Sequence, residues 1–310
     1  MPKLPVICLA GPTASGKTEI AIELCSKYPL DVISVDSALV YRGMDIGTAK
    51  PDAETLKRTP HRLIDIRDPE QRYSAGDFVR DAENEIDDIL ASGRIPLLVG
   101  GTMMYFRSLT EGIAELPEAD PDVRAALDAE AASIGWPAMH QRLEGVDPES
   151  AARIHANDSQ RIQRALEVFE ISGRPISVLH ADGQRAVAGH SYLKLALVPG
   201  SRPLLHEHID SRLQSMFDHG FIEEVEGLRQ RPGLSSQSPS MRAVGYRQIW
   251  SHLDGHYDRA EAQNKALAAT RQLAKRQLTW LRSDKSLHQL DPLEDDVIDA
   301  ISAILDKQLN

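Results

Sequence analysis

The residues Gly11-Pro12-Thr13-Ala14-Ser15-Gly16-Lys17-Thr18 match the pattern G-x-x-x-x-G-K-[ST] at every fixed position. In a loop of this kind successive backbone N–H groups point inward at an anion. A helix that follows adds the partial positive charge of its N-terminus. Lys17 supplies a full charge for a terminal phosphate, and Thr18 a hydroxyl for Mg²⁺. The chemistry is that of a gripped polyphosphate. A nucleoside triphosphate is the usual guest, yet any diphosphate ester presents the same oxygens, so the loop alone leaves the reaction open.

Such a loop works only between a strand and a helix. The apolar run Val6-Ile7-Cys8-Leu9-Ala10 predicts a buried strand before it. Ala21, Leu24, Cys25 and Tyr28 repeat at helical spacing after it, and Pro29 ends the run. A second apolar run, Asp31 to Val35, ends at Asp36-Ser37. Open α/β sheets place ligands at the carboxyl ends of their strands, so Asp36 is expected beside the loop; capping of the next turn is the plainer alternative. Tyr41 to Pro51 lacks periodicity and reads as an ordered surface loop near the site, and His61 to Ile66 as a third strand. Ser74 and Asp77 form a capping-box signature before a helix with the stripe Phe78, Ala82, Ile86, Ile89 and Leu90. The next strand, from Ile95, ends in Gly100-Gly101-Thr102. P-loop ATPases usually carry an acidic residue there to hold Mg²⁺ through water. Its absence weakens an ATPase reading and leaves a small-molecule kinase open.

Beyond Gly112 the pattern changes to short helical stretches punctuated by proline, which predicts a helical insertion over residues 113–190. Its most regular piece, Ser159 to Ser172, carries the stripe Ile162, Ala165, Leu166 and Phe169, with Arg161 and Arg164 to one side. The core, begun over residues 1–112, is completed over 191–310. Tyr192 to Val198 predicts a fifth strand, Pro203 to Leu228 a helix containing Arg212, and Ser240 to Trp250 a small-residue turn. A long helix from about Ala260 to Arg282 buries Leu267, Ala274, Leu278 and Leu281. Arg271, Lys275 and Arg282 fall on another face, with Arg276 beside them.

That face stands out because the chain as a whole is acidic. Its 310 residues hold 35 Lys and Arg against 46 Asp and Glu, a formal charge of −11. A uniformly cationic nucleic-acid surface is excluded, and a nucleic-acid site must be a local patch. Residues 262–283 contain no acidic side chain, which makes this helix the best candidate. Cys8 and Cys25 match no zinc spacing and no disulfide framework, and buried thiols are the simpler reading. The first apolar run is too short for a signal peptide, and no stretch approaches the ~20 residues of a membrane span. A soluble, reduced, cytoplasmic protein with no membrane partner is expected.

Taken together, GPTASGKT, DVISVDSALVYRGMDIGTAKP, PHRLIDIRDP, YSAGDF, IPLLVGGTMMYF, DSQRIQRALEVFEISGRP, SMRAVGYRQIW and TRQLAKRQLTWLR resemble the tRNA dimethylallyltransferases, from Val6 to Arg282. The resemblance is to the bacterial form, for which the C-terminal zinc finger of eukaryotic relatives is not expected, in keeping with the two cysteines. The resemblance implies a P-loop α/β core with a mostly parallel sheet and a helical insertion domain. It also implies transfer of a dimethylallyl group to the N6 amine of the adenosine 3′ of the anticodon, tRNA position 37. Gly11 to Thr18 would then hold the diphosphate of dimethylallyl diphosphate, with Lys17, Arg212 and a Mg²⁺ at Thr18 neutralising the departing pyrophosphate. Asp36 would be the general base. Asp36, Ser37, Ala38, Leu39, Thr102, Arg124, Gln160, Arg161, Ile162, Gln163 and Arg164 would meet the tRNA anticodon stem-loop. So would Met241, Arg242, Ala243, Val244, Gly245, Tyr246 and the helix from Ala274 to Leu281, with a monomer as the expected state. An ATP-dependent kinase of a small metabolite, and a nucleotide-binding module without chemistry, are the alternatives.

Overall fold

A computed structural model describes residues 4–114, 116–182 and 189–309. It divides into two compact units: Met1–Thr110 with Ala188–Asn310, and Glu111–Val187. The first unit opens with β1 (Val6–Ala10), α1 (Lys17–Lys27), β2 (Leu30–Val35), α2 (Ala53–Arg58), β3 (His61–Arg62), α3 (Ala75–Ala91), β4 (Ile95–Gly100) and α4 (Met103–Glu111). The second unit holds α5 (Pro121–Ile134), α6 (Trp136–Val146), α7 (Pro148–Arg153), α8 (Ser159–Ser172) and α9 (Ile176–Asp182). The first unit resumes with β5 (Tyr192–Leu197), α10 (Arg202–Asp218), α11 (Phe221–Arg229), a 3₁₀ turn at Ser240–Arg242 and α12 (Tyr246–Leu253). It closes with α13 (Arg259–Ser283), β6 (His288–Leu290) and α14 (Val297–Leu309).

Among the described residues the sheet has six strands in the order β3-β2-β4-β1-β5-β6, every pair parallel. A parallel sheet is covered on both faces, so its strands read as continuous apolar runs. Successive residues of β1 serve opposite cores: Val6, Cys8 and Ala10 pack on the side of α3, Ile7 and Leu9 on the side of α1 and α14. Each wholly buried aliphatic side chain there contributes ~1.5–3 kcal/mol. The chain leaves β1, crosses to β2 and skips the position that β4 fills, so the carboxyl ends of β1, β2 and β4 surround one crevice. That crevice is where ligands of open α/β sheets bind.

Two expectations change. The third strand ends at Arg62 instead of Ile66, because Leu63 and Asp65 have left-handed backbone (φ 63 and 56) that turns the chain out of the sheet. Lys50 pins this turn, its Nζ donating to Asp65 and Asp45 Oδ1 (2.5 Å each) and to Tyr41 O. The single helix expected from Pro203 to Leu228 is broken into α10 and α11 at Gly220, whose φ of 97 ends one helix and starts the next. Cys8 is buried and Cys25 half-buried, both unbonded. No helix among the described residues is long and apolar enough to cross a membrane.

In the second unit α5, α6, α7, α8 and α9 pack around Leu127, Met139, Leu143, Ile162 and Leu166. Glu167 is wholly buried there. It accepts from the Asp120 N–H, from Arg124 (2.8 and 3.0 Å) and from Arg164 (2.7 Å). Burial alone would raise its carboxyl; the two guanidiniums outweigh that and hold it below the usual range.

Candidate active site

The loop after β1 has the conformation an anion requires. Ala14 (φ 61) and Gly16 (φ 74) are both left-handed, a geometry that turns neighbouring N–H groups to one side. Gly16 caps α1 with no side-chain hydrogen bond, so the first N–H groups of that helix have no capping side chain. Ser15 Oγ is buried without a partner, an orphan that a bound oxyanion would satisfy. Gly11 is needed for closure: a Cβ there would stand 2.7 Å from Ser15 Oγ.

Lys17 is half-buried and donates to Pro12 O (2.9 Å). Burial pulls its ammonium down to about 8, helped by the nearby Arg212 charge and opposed by Asp36 and Glu19. The sign for ligand binding follows. Above that pH the free protein has shed the proton, while a bound polyanion favours the charged form, so binding must take a proton up. Affinity for inorganic pyrophosphate should therefore fall as pH rises through about 8. Calorimetry in two buffers of different ionisation enthalpy should find up to ~1 more proton taken up by wild type than by Lys17→Ala. Equal uptake would assign the titration to another group.

Asp36 follows β2 and sits half-buried at the crevice. Its Oδ1 accepts from the N–H groups of Ala38 (2.8 Å) and Leu39 (3.3 Å), which fixes the carboxylate plane and leaves Oδ2 without a hydrogen-bond partner among the described residues. The turn alternative and the functional one are thus the same residue using different oxygens. Thr102 Oγ1 accepts from the Ser37 N–H (3.0 Å), tying the ends of β2 and β4 together. The acidic strand end missing from β4 has a steric cause. A Cβ on Gly100 would lie 2.0 Å from Val35 O, so no side chain fits there.

Lys17, Thr18, Asp36, Thr102, Arg212 and Arg276 all line one cavity of about 480 Å³, and Asp36 is the one carboxylate among its lining residues. Arg212 reaches into it from α10 and donates to Thr13 Oγ1. Burial lowers the guanidinium's basicity, and Asp36 and Glu19 offset this. Ile209, Leu213, Met216 and Phe221 form an apolar wall on the same cavity. Its rim carries two large exposed side chains, Met104 and Trp280, with Arg107 stacked 5.6 Å from the Trp280 ring centre. A divalent cation suits this donor set when carried by phosphate oxygens. Mg²⁺ keeps several waters and takes few protein ligands, and the Thr18 hydroxyl is available for it. No cluster of three His, Cys, Asp or Glu able to hold a metal by itself occurs among the described residues.

The remaining predicted contacts divide sharply. Arg242, Ala243, Val244, Gly245 and Tyr246 line the cavity, with Ser37, Ala38 and Leu39 facing them. Lys275 and Arg276 are exposed with no ion-pair partner among the described residues, and Arg271 is half-buried. In the second unit Gln160 and Arg161 are exposed. Five expectations there and nearby are corrected. Ile162 and Met241 are wholly buried and serve as core. Arg124 and Arg164 are committed to Glu167, because a buried carboxylate left unpaired would be far costlier than two tethered arginines. Gln163 is likewise spent on Asp128 Oδ1 (2.7 Å).

Two roles went unread in the sequence, that of Glu224 and that of Gln277, which lies in the helix expected to meet RNA but points inward. Glu224 accepts from the N–H groups of Asp45, Ile46 and Gly47 and from the Tyr246 hydroxyl (2.6 Å), which fastens the loop after Met44 to α12. Gln277 clips α13 to the P-loop. Neither has a local signal, since each acts on backbone far away in sequence.

A phosphate-cradling loop, one carboxylate and an apolar wall on a parallel P-loop α/β sheet define a transferase that works on a phosphate ester. The family model described as IPP transferase matches residues 39–284. The tRNA dimethylallyltransferase of Ralstonia pickettii is 52% identical over 309 residues, 98% of this chain and 95% of that protein. Its counterpart in Alkalilimnicola ehrlichii is 56% identical over 283 residues, 91% of this chain and 89% of that protein. Among solved structures, the full-length tRNA isopentenylpyrophosphate transferase of Bacillus halodurans aligns with a TM-score of 0.71 at 34% identity, over 99% of this chain and 98% of that one. A eukaryotic dimethylallyltransferase acting on tRNA aligns with a TM-score of 0.79 at 25% identity, over 96% of this chain and 77% of that one. The chain belongs to the IPP transferase family.

Proposed function

We propose that the chain transfers a dimethylallyl group from dimethylallyl diphosphate to the N6 amine of the adenosine 3′ of the anticodon, position 37 of tRNA. The observation that carries this reading is the pairing, in one cavity, of the phosphate loop's Thr13, Lys17 and Thr18 with a single carboxylate and an apolar wall. A kinase needs its phosphate site to face a second polar substrate; here the surface beyond the loop suits a branched hydrocarbon.

The loop Gly11 to Thr18 holds the diphosphate through the backbone N–H groups that follow Thr13 and the Lys17 ammonium, and Arg212 reaches the same oxygens from α10. The allylic C1 then lies toward Ile209, Leu213 and Met216. The N6 lone pair attacks C1, the C1–O bond breaks, and its electron pair leaves with pyrophosphate. Asp36 Oδ2 takes the N6 proton. The Thr18 hydroxyl would hold a Mg²⁺ ion, which would supply further neutralisation of the leaving charge. Lys17 and Arg212 stabilise charge where it develops, in a site partly closed to water. The target base must leave its stack, at a cost of a few kcal/mol, and the exposed Trp280 and Met104 offer it a surface at the rim.

RNA phosphates meet Lys275 and Arg276 on α13 and Arg242. Taken by itself, the second unit offers Arg161, exposed and paired with Asp158, as a phosphate contact. The tRNA anticodon stem-loop is the partner, one chain carries every residue of the site, and the setting is the cytoplasm. Affinity for tRNA should then drop steeply with salt, and Lys275→Ala should make the log–log slope shallower by roughly 0.7 to 0.9. An unchanged slope and affinity would return Lys275 to an ordinary solvated face. Nucleoside mass spectrometry of tRNA incubated with dimethylallyl diphosphate, beside an ATP control, tests the reaction. Prenylated adenosine in the first sample alone supports it, and a product only with ATP refutes it.

A further inference from the structure

Gln277 lies on the inner face of α13, only 7% exposed. Its Oε1 accepts from the Thr13 N–H (2.9 Å), and its Nε2 donates to Gly101 O (2.8 Å). One partner can only donate and the other only accept, so the amide has a single orientation. Three segments remote in sequence are clamped by this one side chain: the P-loop, the turn after β4 and α13. The approach depends on glycine, because a Cβ on Gly101 would stand 2.5 Å from Nε2.

The clamp continues in both directions. Thr13 receives Arg212 through its hydroxyl, so the residue that Gln277 holds also seats the arginine aimed at the diphosphate. Thr102, next to Gly101, holds the Ser37 N–H, one residue from Asp36. On α13 itself Lys275 and Arg276 immediately precede Gln277 and are exposed. Outward cations and an inward amide therefore share one helical turn. Any shift of that turn reaches the P-loop through one buried hydrogen bond and the turn after β4 through another, and both are held because breaking either leaves a backbone group unsatisfied.

We propose that Gln277 is a positioning residue that couples RNA binding on α13 to diphosphate binding in the P-loop. The inference rests on the reading of α13 as an RNA-binding helix. Phosphates drawn to Lys275 and Arg276 fix the helix, Gln277 fixes Thr13, and Thr13 with Arg212 presents the loop to the diphosphate. The coupling is reciprocal, as linkage requires.

The test uses the full chain and inorganic pyrophosphate with Mg²⁺, titrated with and without a saturating anticodon stem-loop RNA. In wild type the RNA should tighten pyrophosphate binding by ~5-fold or more, and pyrophosphate should tighten RNA binding by the same factor. Gln277→Leu keeps the volume and removes both hydrogen bonds, so each ligand should still bind alone while the factor falls toward unity. Gln277→Glu guards against misfolding of that variant. Its carboxyl offers Thr13 an acceptor and, when protonated, offers Gly101 a donor. Coupling in Gln277→Glu should be weak in mildly alkaline buffer and recover as the pH falls, relative to wild type at each pH. A merely structural amide would not give that recovery. Coupling retained in both variants, or absent from a wild type that prenylates the RNA, would overturn the inference alone. A wild type that neither binds nor prenylates the RNA would overturn the proposed function and this inference with it.

Discussion

Asp36→Asn should lower turnover by about 10²–10⁴-fold while leaving donor and tRNA affinity nearly unchanged. The adenine amine is a poor nucleophile, since its lone pair is delocalised into the ring and attack builds positive charge on nitrogen. A carboxylate within reach relieves that charge by accepting the proton. Asparagine retains an oxygen for the Ala38 and Leu39 N–H groups that Oδ1 now satisfies, so the turn after β2 should hold its shape. What is lost is the basicity of Oδ2. If Asp36 served only as a metal ligand, the defect would instead be a loss of Mg²⁺-dependent diphosphate affinity. Measuring single-turnover rate and pyrophosphate affinity on the same variant separates the two. Unimpaired transfer by Asp36→Asn would remove it as the base.

The second large effect is expected of Lys17→Ala, which should cost on the order of 10²–10³ in rate at saturating donor. Among the described residues Lys17 Nζ makes its hydrogen bond to Pro12 O, so its removal disturbs little of the fold, and the unfolding midpoint should stay close to wild type. The ammonium acts on charge that appears as the C1–O bond breaks. Its loss should therefore fall on turnover more than on binding. Arg212, seated on Thr13, keeps part of the diphosphate affinity in place. Near-normal turnover with saturating donor would contradict the role given to Lys17.

Much of this site was legible because the signals are local. The P-loop declares itself by eight consecutive residues, and β1, β2 and β4 by mostly apolar runs, since a strand buried on both faces admits little else. Asp36 could be placed from its position at a strand end. The losses have equally physical causes. Two left-handed residues stop β3 early, and no propensity argument anticipates Leu63 at φ 63 or Asp65 at φ 56, the second of which Lys50 holds from outside the strand. Ile162 and Arg164 share a helix with Arg161, yet one faces a core and the other a buried Glu167. A motif match names all three alike. Gln277 and Glu224 satisfy distant backbone groups, so only the folded chain reveals their roles.

The central claim is that the phosphate loop holds a leaving group instead of a phosphoryl donor. It is tested most directly by a single turnover with dimethylallyl diphosphate isotopically labelled at C1, in the presence of an anticodon stem-loop RNA. The label should appear on N6 of the adenosine 3′ of the anticodon, with pyrophosphate released intact. Recovery of the label as dimethylallyl phosphate, or of phosphate on the RNA, would contradict the account.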